Sequence, residues 1–148
     1  TLHANSANPA LDRIINFFPE DRREQLLMDL SLNIRAMIAQ RLIPREDGAG
    51  RIAAVEILLN TPFISDLIFK GEVSAIKEVM KKGREHGMQT FDQALFDLYE
   101  GYYITEADAL RNADSVNDLR LQIKLKSMRA RTEMPTDPGD YGLAPVHK

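Results

Sequence analysis

The chain has 148 residues and a formal net charge of -3, with 44% hydrophobic and 28% charged residues. This composition is ordinary for a globular protein and excludes a wholly disordered chain. The absence of cysteine excludes disulfides, thiolate catalysis and cysteine-ligated zinc, and it favours a reducing compartment such as the cytoplasm.

Two helices are predicted in the first part of the chain. Asn8 as N-cap and Pro9 at the first helical position predict a short helix over residues 10–18, which Pro19 ends. Over residues 20–41, apolar side chains recur at spacings of three and four, which predicts a long amphipathic helix. The apolar residues of that stripe are Leu27, Leu30, Ile34, Met37 and Ile38.

A β-hairpin is predicted next. The segments RLIPRED and RIAAVEILLN flank a GAG turn from Gly48 to Gly50, and β-branched strands around glycines are typical of hairpins. The second strand is apolar on both faces, as in the interior of a sheet. Since a two-stranded sheet is rarely stable alone, we expect a larger sheet, and with the abrupt opening TLHANSA this indicates a piece of a longer domain.

Capping signals predict a series of helices after the hairpin. The expected starts and ends are Thr61, Gly71, Gly87, the capping box Thr90 to Gln93, Thr105 and Ser115. The predicted spans are residues 63–70, 72–86, 91–100, 106–112 and 116–127. Residues 129–148 are rich in proline and glycine and have no apolar period, so we predict a flexible tail there.

Few residues are candidates for chemistry. The three histidines, at positions 3, 86 and 147, lack the spacing of a helical metal site. There is no GxxxxGK[ST] phosphate loop and no GxSxG elbow, so no complete catalytic site and no metal site are predicted. His3 follows a predicted strand, where side chains often face a ligand; the alternative is a frayed terminal histidine.

The helix over residues 63–70 is the candidate partner surface. Its apolar residues are Phe63, Ile64, Leu67, Ile68 and Phe69. Ile64, Leu67 and Ile68 share a face that we expect to point inward, while Phe63 and Phe69 point outward. Two exposed aromatic rings on one short helix predict a contact surface, with burial against another segment as the alternative.

A nucleic-acid partner is not expected. The segment TFDQALFDLYEGYYITEADALRNA could form two short helices around a glycine turn, as in a helix-turn-helix DNA reader. Its second helix, however, carries Glu106 and Asp108 at the end that would meet phosphates. The chain also has no basic block long enough to follow a phosphate backbone.

Several segments together resemble one protein family. TLHANSA resembles the histidine box of the PilT/PilU-type ATPases, the retraction motors of type IV pili within the secretion-ATPase superfamily. RLIPREDGAGRIAAVEILLNTP and GREHGMQTFDQALFDLYEGYYITEADALRNADSVNDLR resemble the segments that follow that box. FISDLIFKGEV is more similar to the PilU branch, whose members are viewed as accessory ATPases, than to the AIRNLIRE pattern of the PilT branch: only Ile64, Leu67 and Ile68 match that pattern.

The resemblance implies a fold and a division of the chain. In the family, a phosphate loop and a catalytic glutamate precede the histidine box. The chain is then mainly α with a small antiparallel β-hairpin, the C-terminal portion of a RecA-like α/β P-loop ATPase domain without its P-loop half. Residues 1–60 would end the RecA-like core, residues 61–128 would form a C-terminal helical bundle, and residues 129–148 would be the tail.

The resemblance also implies roles and partners. His3, with Thr1, would sense the terminal phosphate of a nucleotide. ATP and Mg²⁺ are implied for the intact parent, and no cofactor for this chain alone, which should be inactive. The implied partners are further copies in a hexamer, a PilT-type paralogue and an inner-membrane platform protein, with the parent in the cytoplasm at that membrane. The alternative from another class is a non-enzymatic helical module that binds a protein partner.

Overall fold

The computed structural model of the chain describes residues 4–133. In chain order the elements are α1 (Ala7–Asn16), α2 (Arg23–Asn33), β1 (Ala36–Pro44), β2 (Arg51–Leu59), α3 (Pro62–Phe69), α4 (Ile76–Lys82), α5 (Phe91–Glu100), α6 (Glu106–Arg111), α7 (Val116–Lys126) and α8 (Met128–Glu133). Short 3-10 turns occupy Glu20–Arg22, Val73–Ala75 and Arg84–His86. The described part of the chain is mainly helical with one two-stranded antiparallel sheet, which confirms the predicted class.

The long helix predicted over residues 20–41 is wrong. Helix α2 ends at Asn33, Ile34 is extended with φ -62 and ψ 132, and β1 begins at Ala36. The apolar stripe nevertheless marks residues that pack together, because Leu30 of α2 and Met37 of β1 contact the same core cluster. A strand with a ready partner gains ladder hydrogen bonds along its length, and that tertiary gain outweighs a local helical period.

The hairpin is longer than the sequence indicated. Strands β1 and β2 pair from Ala36 opposite Leu59 to Pro44 opposite Arg51. The turn between them uses left-handed glycines, Gly48 at φ 72 and Gly50 at φ 93, a conformation that glycine adopts at little cost. The outer edge of β2 makes one further bridge, in which Ile57 and Gln89 exchange backbone hydrogen bonds of 2.8 and 2.9 Å.

Two apolar clusters lie along the inner face of β2. Cluster one combines α1, α3 and α4 with Leu58, and cluster two combines α5, α6 and α7 with Ile43 and Ala54. Since alternate residues of a strand share a face, Ala54 and Leu58 stand on either side of Glu56. The division of the chain at residue 60 stays a prediction. Cluster one contains residues from both sides of that position.

Most of the predicted helix caps are confirmed. The side chains of Thr61, Thr105 and Ser115 accept from the backbone N–H three residues ahead, and Thr90 forms a full capping box with Gln93. Gly71 and Gly87 are left-handed, with φ of 71 and 89. The helix predicted over residues 72–86 is shorter, since α4 stops at Lys82 before Gly83.

The first helix and the last helix differ from the predictions. Helix α1 begins at Ala7 after Ser6 as N-cap, and the Asn8 side chain instead donates to the Val73 carbonyl at 3.0 Å. At the other end, α8 forms where a flexible tail was expected from residue 129. Its Arg129 is only 6% exposed, because tertiary hydrogen bonds rather than an apolar period hold it. Residues 134–148 of the predicted tail lie outside the described residues.

Candidate functional site

A buried carboxylate lies between the two clusters. Glu56 is 0% exposed, and its Oε1 accepts from the Ala7 N–H at 2.9 Å. Its Oε2 accepts from Lys77 Nζ at 2.7 Å and from the Phe91 N–H at 3.4 Å. Ala7 and Phe91 are the first residues of α1 and α5. One carboxylate therefore lies at the N-termini of two helices, where free N–H groups and the helix dipoles favour negative charge.

The ion pair continues outward through two further side chains. Lys77 Nζ also donates to Asp114 Oδ2 at 2.6 Å, and Arg41 donates to Asp114 Oδ1 at 2.7 Å. The guanidinium of Arg41 lies 3.9 Å from the centroid of the Phe91 ring, within the range of a cation–π contact. We call Glu56, Lys77, Asp114 and Arg41 the Glu56 network; its charges alternate in sign from one member to the next.

Arg41 additionally binds two backbone carbonyls. It donates to the Asn112 carbonyl at 2.6 Å and to the Asn5 carbonyl at 3.2 Å. The planar guanidinium can make these bonds and the Asp114 pair together, which the single ammonium of a lysine could not do in the same geometry. Strand β1, the loop before α7 and the segment before α1 are therefore joined at one side chain.

Hydrogen bonding keeps the network charged. Burial alone would lower the pKa of Lys77, but hydrogen bonds to Asp114 and Glu56 outweigh burial and raise that pKa. Burial would likewise raise the pKa of Asp114, yet the bonds from Lys77 and Arg41 lower it. Neighbouring Asp92 differs, since burial raises its pKa although it accepts from the Asp114 and Ser115 N–H groups.

Sequence reasoning missed this network. One signal was available, because Glu56 is a lone acidic residue in the apolar run RIAAVEILLN, and a buried carboxylate needs partners. The other members of the network come from β1, α4 and the loop before α7, which no spacing in the sequence connects. Arg41 in addition was placed at the end of a predicted helix that in the structure ends at Asn33.

The predicted sensing residues lie next to this network in the chain. His3 and Thr1 fall outside the described residues, so their role stays a prediction. The described chain starts at Ala4, and the Asn5 carbonyl and the Ala7 N–H are held by Arg41 and Glu56. The chain that follows His3 is thus anchored at two points.

The predicted partner surface is only partly a surface. Phe63 and Phe69 are 58% and 47% exposed, as expected. Ile64, Leu67 and Ile68, the other apolar residues of the candidate surface, are buried in cluster one, as expected for the inward face of the helix. These three residues cannot contact a partner without unfolding the helix. The contact role of the two phenylalanines stays a prediction.

Helix α3 is firmly attached to the end of α2. Ser65 Oγ donates to the Ser31 carbonyl at 2.8 Å, and Asn60 Nδ2 donates to the carbonyls of Ser31 and Ile34, each at 2.8 Å. These bonds satisfy carbonyls that the end of α2 leaves unpaired. The exposed rings therefore project from a fixed support rather than from a loop.

A groove of about 580 Å³ opens beside Phe63, between the start of α3 and the end of α4. Its lining includes Pro62, Phe63, Val79, Lys82, His86 and Met88. Apolar side chains line part of this groove, and the exposed ring of Phe63 lies at its side. An exposed aromatic ring next to an apolar groove is suited to protein contacts.

An arginine clamp holds α8 to the rest of the molecule. Arg129 donates to the carbonyls of Tyr99 and Ile104, both at 3.0 Å, and pairs with Glu46 at 2.8 Å. Its guanidinium lies 4.5 Å from the Tyr99 ring centroid and 4.4 Å from that of Tyr102. A buried charge with this many partners is fully compensated, and the contact to Glu46 ties the C-terminal helix to the hairpin.

Two other kinds of site were not found among residues 4–133. No group of three or more His, Cys, Asp or Glu residues in this range could hold a metal ion. No helix in the same range is long and apolar enough to cross a bilayer. The features that remain for function are the Glu56 network, the α3 surface with its groove and the Arg129 clamp.

Comparison with known proteins points to pilus ATPases. The chain is 62% identical over 127 residues to the type IV pilus ATPase PilU of Pseudomonas aeruginosa, a match that covers 86% of this chain and 33% of that protein. It is 34% identical over 113 residues to the type IV pilus ATPase PilT of the same organism, covering 76% of this chain and 33% of PilT. The chain is a relative of the PilT/PilU-type pilus ATPases. It spans about a third of the length of these relatives, and no protein-family profile matches it.

Solved structures of PilT and DotB ATPases share the fold. The structure of the retraction motor PilT with bound ADP matches with a TM-score of 0.72 and 32% identity, over 82% of this chain and 33% of that one. The ATPase DotB of Legionella pneumophila matches with a TM-score of 0.61 over 74% of this chain and 29% of its own, and at 23% identity this likeness shows the fold alone. The predicted fold, a C-terminal portion of a PilT-like ATPase, is confirmed.

Proposed function

We propose that this region belongs to a hexameric ATPase that powers or assists type IV pilus retraction by coupling ATP hydrolysis to domain motion. The observation that carries the proposal is the 62% identity to PilU over 86% of the chain. The identity to PilT is 34%, so a PilU-like role is favoured. The structural match to PilT with bound ADP supports a nucleotide-dependent parent.

In such a parent, ATP with Mg²⁺ would bind mainly to a phosphate loop that this chain does not contain. His3, with Thr1, would contact the terminal phosphate, because an imidazole can donate to a phosphate oxygen and changes charge near neutral pH. The anchoring of Asn5 and Ala7 by Arg41 and Glu56 supports a fixed place for that contact. The chain alone should bind no nucleotide, since one imidazole cannot replace a phosphate loop.

The proposed partners are further copies of the parent, a PilT-type paralogue and an inner-membrane platform protein, which would hold the parent on the cytoplasmic side of that membrane. We assign one of these contacts to Phe63 and Phe69 on α3, with the neighbouring groove. Their exposure on a helix that is hydrogen-bonded to α2 supports this assignment. Large exposed rings on a rigid support bind with little loss of side-chain entropy.

A chimera tests the proposal. The 127 matching residues of P. aeruginosa PilU are replaced by those of this chain, and the chimera is assayed for ATP hydrolysis and for twitching in a strain that lacks PilU. We expect both activities to be restored, and lost again in the His3→Ala chimera. A chimera that assembles as PilU does but neither hydrolyses ATP nor supports twitching would contradict the proposal. It would favour the non-enzymatic interaction module instead.

A further inference from the structure

The segment before α1 is held by two bonds that both belong to the Glu56 network. Arg41 binds the Asn5 carbonyl at 3.2 Å, and Glu56 binds the Ala7 N–H at 2.9 Å. The start of a helix is usually capped by the side chain of its N-cap residue. Here the N-cap residue is Ser6, and its side chain makes no capping hydrogen bond. The carboxylate of Glu56, 49 residues away from Ala7 in the sequence, accepts from the first N–H of α1 and so acts as its cap.

Apart from the pair of Glu56 with Lys77 of α4, the other contacts of the same side chains lie on α5 and on the loop before α7. Glu56 also binds the first N–H of α5, and Arg41 lies over the Phe91 ring and binds the Asn112 carbonyl. Asp114, which Arg41 shares with Lys77, has its own backbone N–H bound by Asp92 of α5 at 2.8 Å. A displacement of α5 or of the loop before α7 would therefore break bonds to the segment before α1.

Partial loss of such a network is costly. Removing one member leaves a charge in a poorly hydrated place without its partner, and the remaining members cannot rearrange without losing bonds to fixed backbone groups. We therefore expect the hydrogen bonds of the network to form or break together, so that the segment before α1 does not shift gradually relative to its partners. The segment, α5 and the loop before α7 should therefore move together.

We infer that Arg41 and Glu56 are positioning residues, which hold residues 5–7 in a fixed place relative to α5 and the loop before α7. Movement of α5 or of that loop then moves residues 5–7, which adjoin the proposed phosphate contact in the chain, and so alters hydrolysis. Only this consequence for hydrolysis rests on the proposed function. The positioning itself concerns contacts within the described chain.

Amide hydrogen exchange on the 148-residue chain tests the positioning. In Arg41→Met we expect the Ala7 amide to exchange about tenfold faster, because local opening no longer has to break the Asn5 bond. Amides of α3, which is not joined to the network, should change less than about twofold. Arg41→Lys keeps the charge beside Asp114 but loses the fork, and should give an intermediate rate.

The matched control is Arg45→Met. Arg45 lies on the same hairpin and pairs with exposed Asp47 at 2.5 Å, so exchange at Ala7 should stay as in the unaltered chain. Unchanged exchange at Ala7 in Arg41→Met, or an equal increase throughout α3, would overturn the positioning role. If Arg41→Met does not fold, the same comparison is made with Arg41→Lys.

The consequence for hydrolysis is measured in the chimeric PilU. Arg41→Met should lower kcat for ATP by about tenfold or more while KM changes little, because a positioned group is lost and the phosphate loop is intact. Arg45→Met should leave both unchanged. An unaltered kcat in Arg41→Met would overturn the link to hydrolysis. A chimera inactive before any substitution would overturn the proposed function alone, and the exchange result would still decide the positioning role.

Discussion

Glu56 and Lys77 form an ion pair of 2.7 Å in which the carboxylate side chain is 1% exposed and the lysine side chain 24% exposed. The carboxylate also accepts from the first N–H groups of two helices. This pair lies where the two apolar clusters meet, so its loss should destabilise the packing of both clusters.

Lys77→Met should destabilise the chain by about 3 kcal/mol. Glu56 would keep its charge at a buried position, and it would lose the only cationic side chain that contacts it among the described residues. Urea denaturation gives the free energy of unfolding. Lys70→Met is the control: its pair with Asp66 is exposed on both sides, so solvent screens it and we expect a much smaller loss than in Lys77→Met. Equal losses in the two variants would show that burial of Glu56 does not matter.

Glu56→Gln in the Lys77→Met background should recover part of that loss. The amide retains an oxygen for the Ala7 N–H and removes the uncompensated charge, so the double variant should be more stable than Lys77→Met alone. The four free energies of unfolding form a double-mutant cycle. Additive effects would argue against a direct interaction between the two side chains.

Stability at low pH should depend on Asp114. Because hydrogen bonds from Lys77 and Arg41 outweigh burial and lower its folded pKa, its contribution is present above the unfolded pKa of about 3.9 and is lost as pH falls through the folded pKa. Asp114→Asn should therefore be less stable at pH 7 and should lose less on acidification below about pH 4. Denaturation midpoints at several pH values measure both effects.

Asp92 should have the opposite effect from Asp114 on how the stability of the chain depends on pH. Burial raises its folded pKa, so the folded chain gains stability relative to the unfolded chain as pH falls from the folded pKa towards the unfolded value. In Asp92→Asn this gain on acidification should be absent. A variant that behaves as Asp114→Asn does would contradict the assigned direction.

Leu67→Ala and Phe69→Ala should separate packing from contact. Leu67 is 5% exposed within cluster one, so its truncation should cost about 2–5 kcal/mol. Phe69 is 47% exposed, and its truncation should cost about 1 kcal/mol or less while impairing twitching of the chimera. Melting curves and twitching zones measure the two effects. Equal melting losses would count against a surface role for Phe69.

Arg129→Lys should loosen α8. The lysine cannot bind the Tyr99 and Ile104 carbonyls and the Glu46 carboxylate together, so we expect a loss of about 2 kcal/mol and faster amide exchange within α8. Arg131→Lys is the control, because Arg131 is exposed and donates to the Leu125 carbonyl. Exchange in α8 that is the same in both variants would show that Arg129 does not hold the helix.

Local signals in the sequence predicted the local structure well. The capping residues Thr61, Thr90, Thr105 and Ser115 act within a few residues of themselves, so their pattern alone is sufficient. The hairpin turn and the burial of Ile64 and Ile68 likewise follow from short-range rules. The exposure of Phe63 and Phe69 was inferred from the same helical period.

Features that depend on distant partners could not be predicted. The first part of strand β1, up to Arg41, was predicted as helix because its pairing with β2 depends on tertiary structure. Helix α8 was read as tail because Arg129 is held by residues more than 20 positions away. The Glu56 network joins four segments, and apart from Glu56 in its apolar run, each of its charges taken singly is typical of a solvated surface residue.

The position of Glu56 between Ala54 and Leu58 also bears on how the chain avoids incorrect folds. If β2 slid by two residues against the helices, the carboxylate would enter cluster one or cluster two, far from its lysine and from both helix starts. A single charge among apolar side chains costs several kcal/mol. An all-apolar strand would not carry this penalty, so the buried charge of Glu56 disfavours such shifted alignments of β2 against the helices.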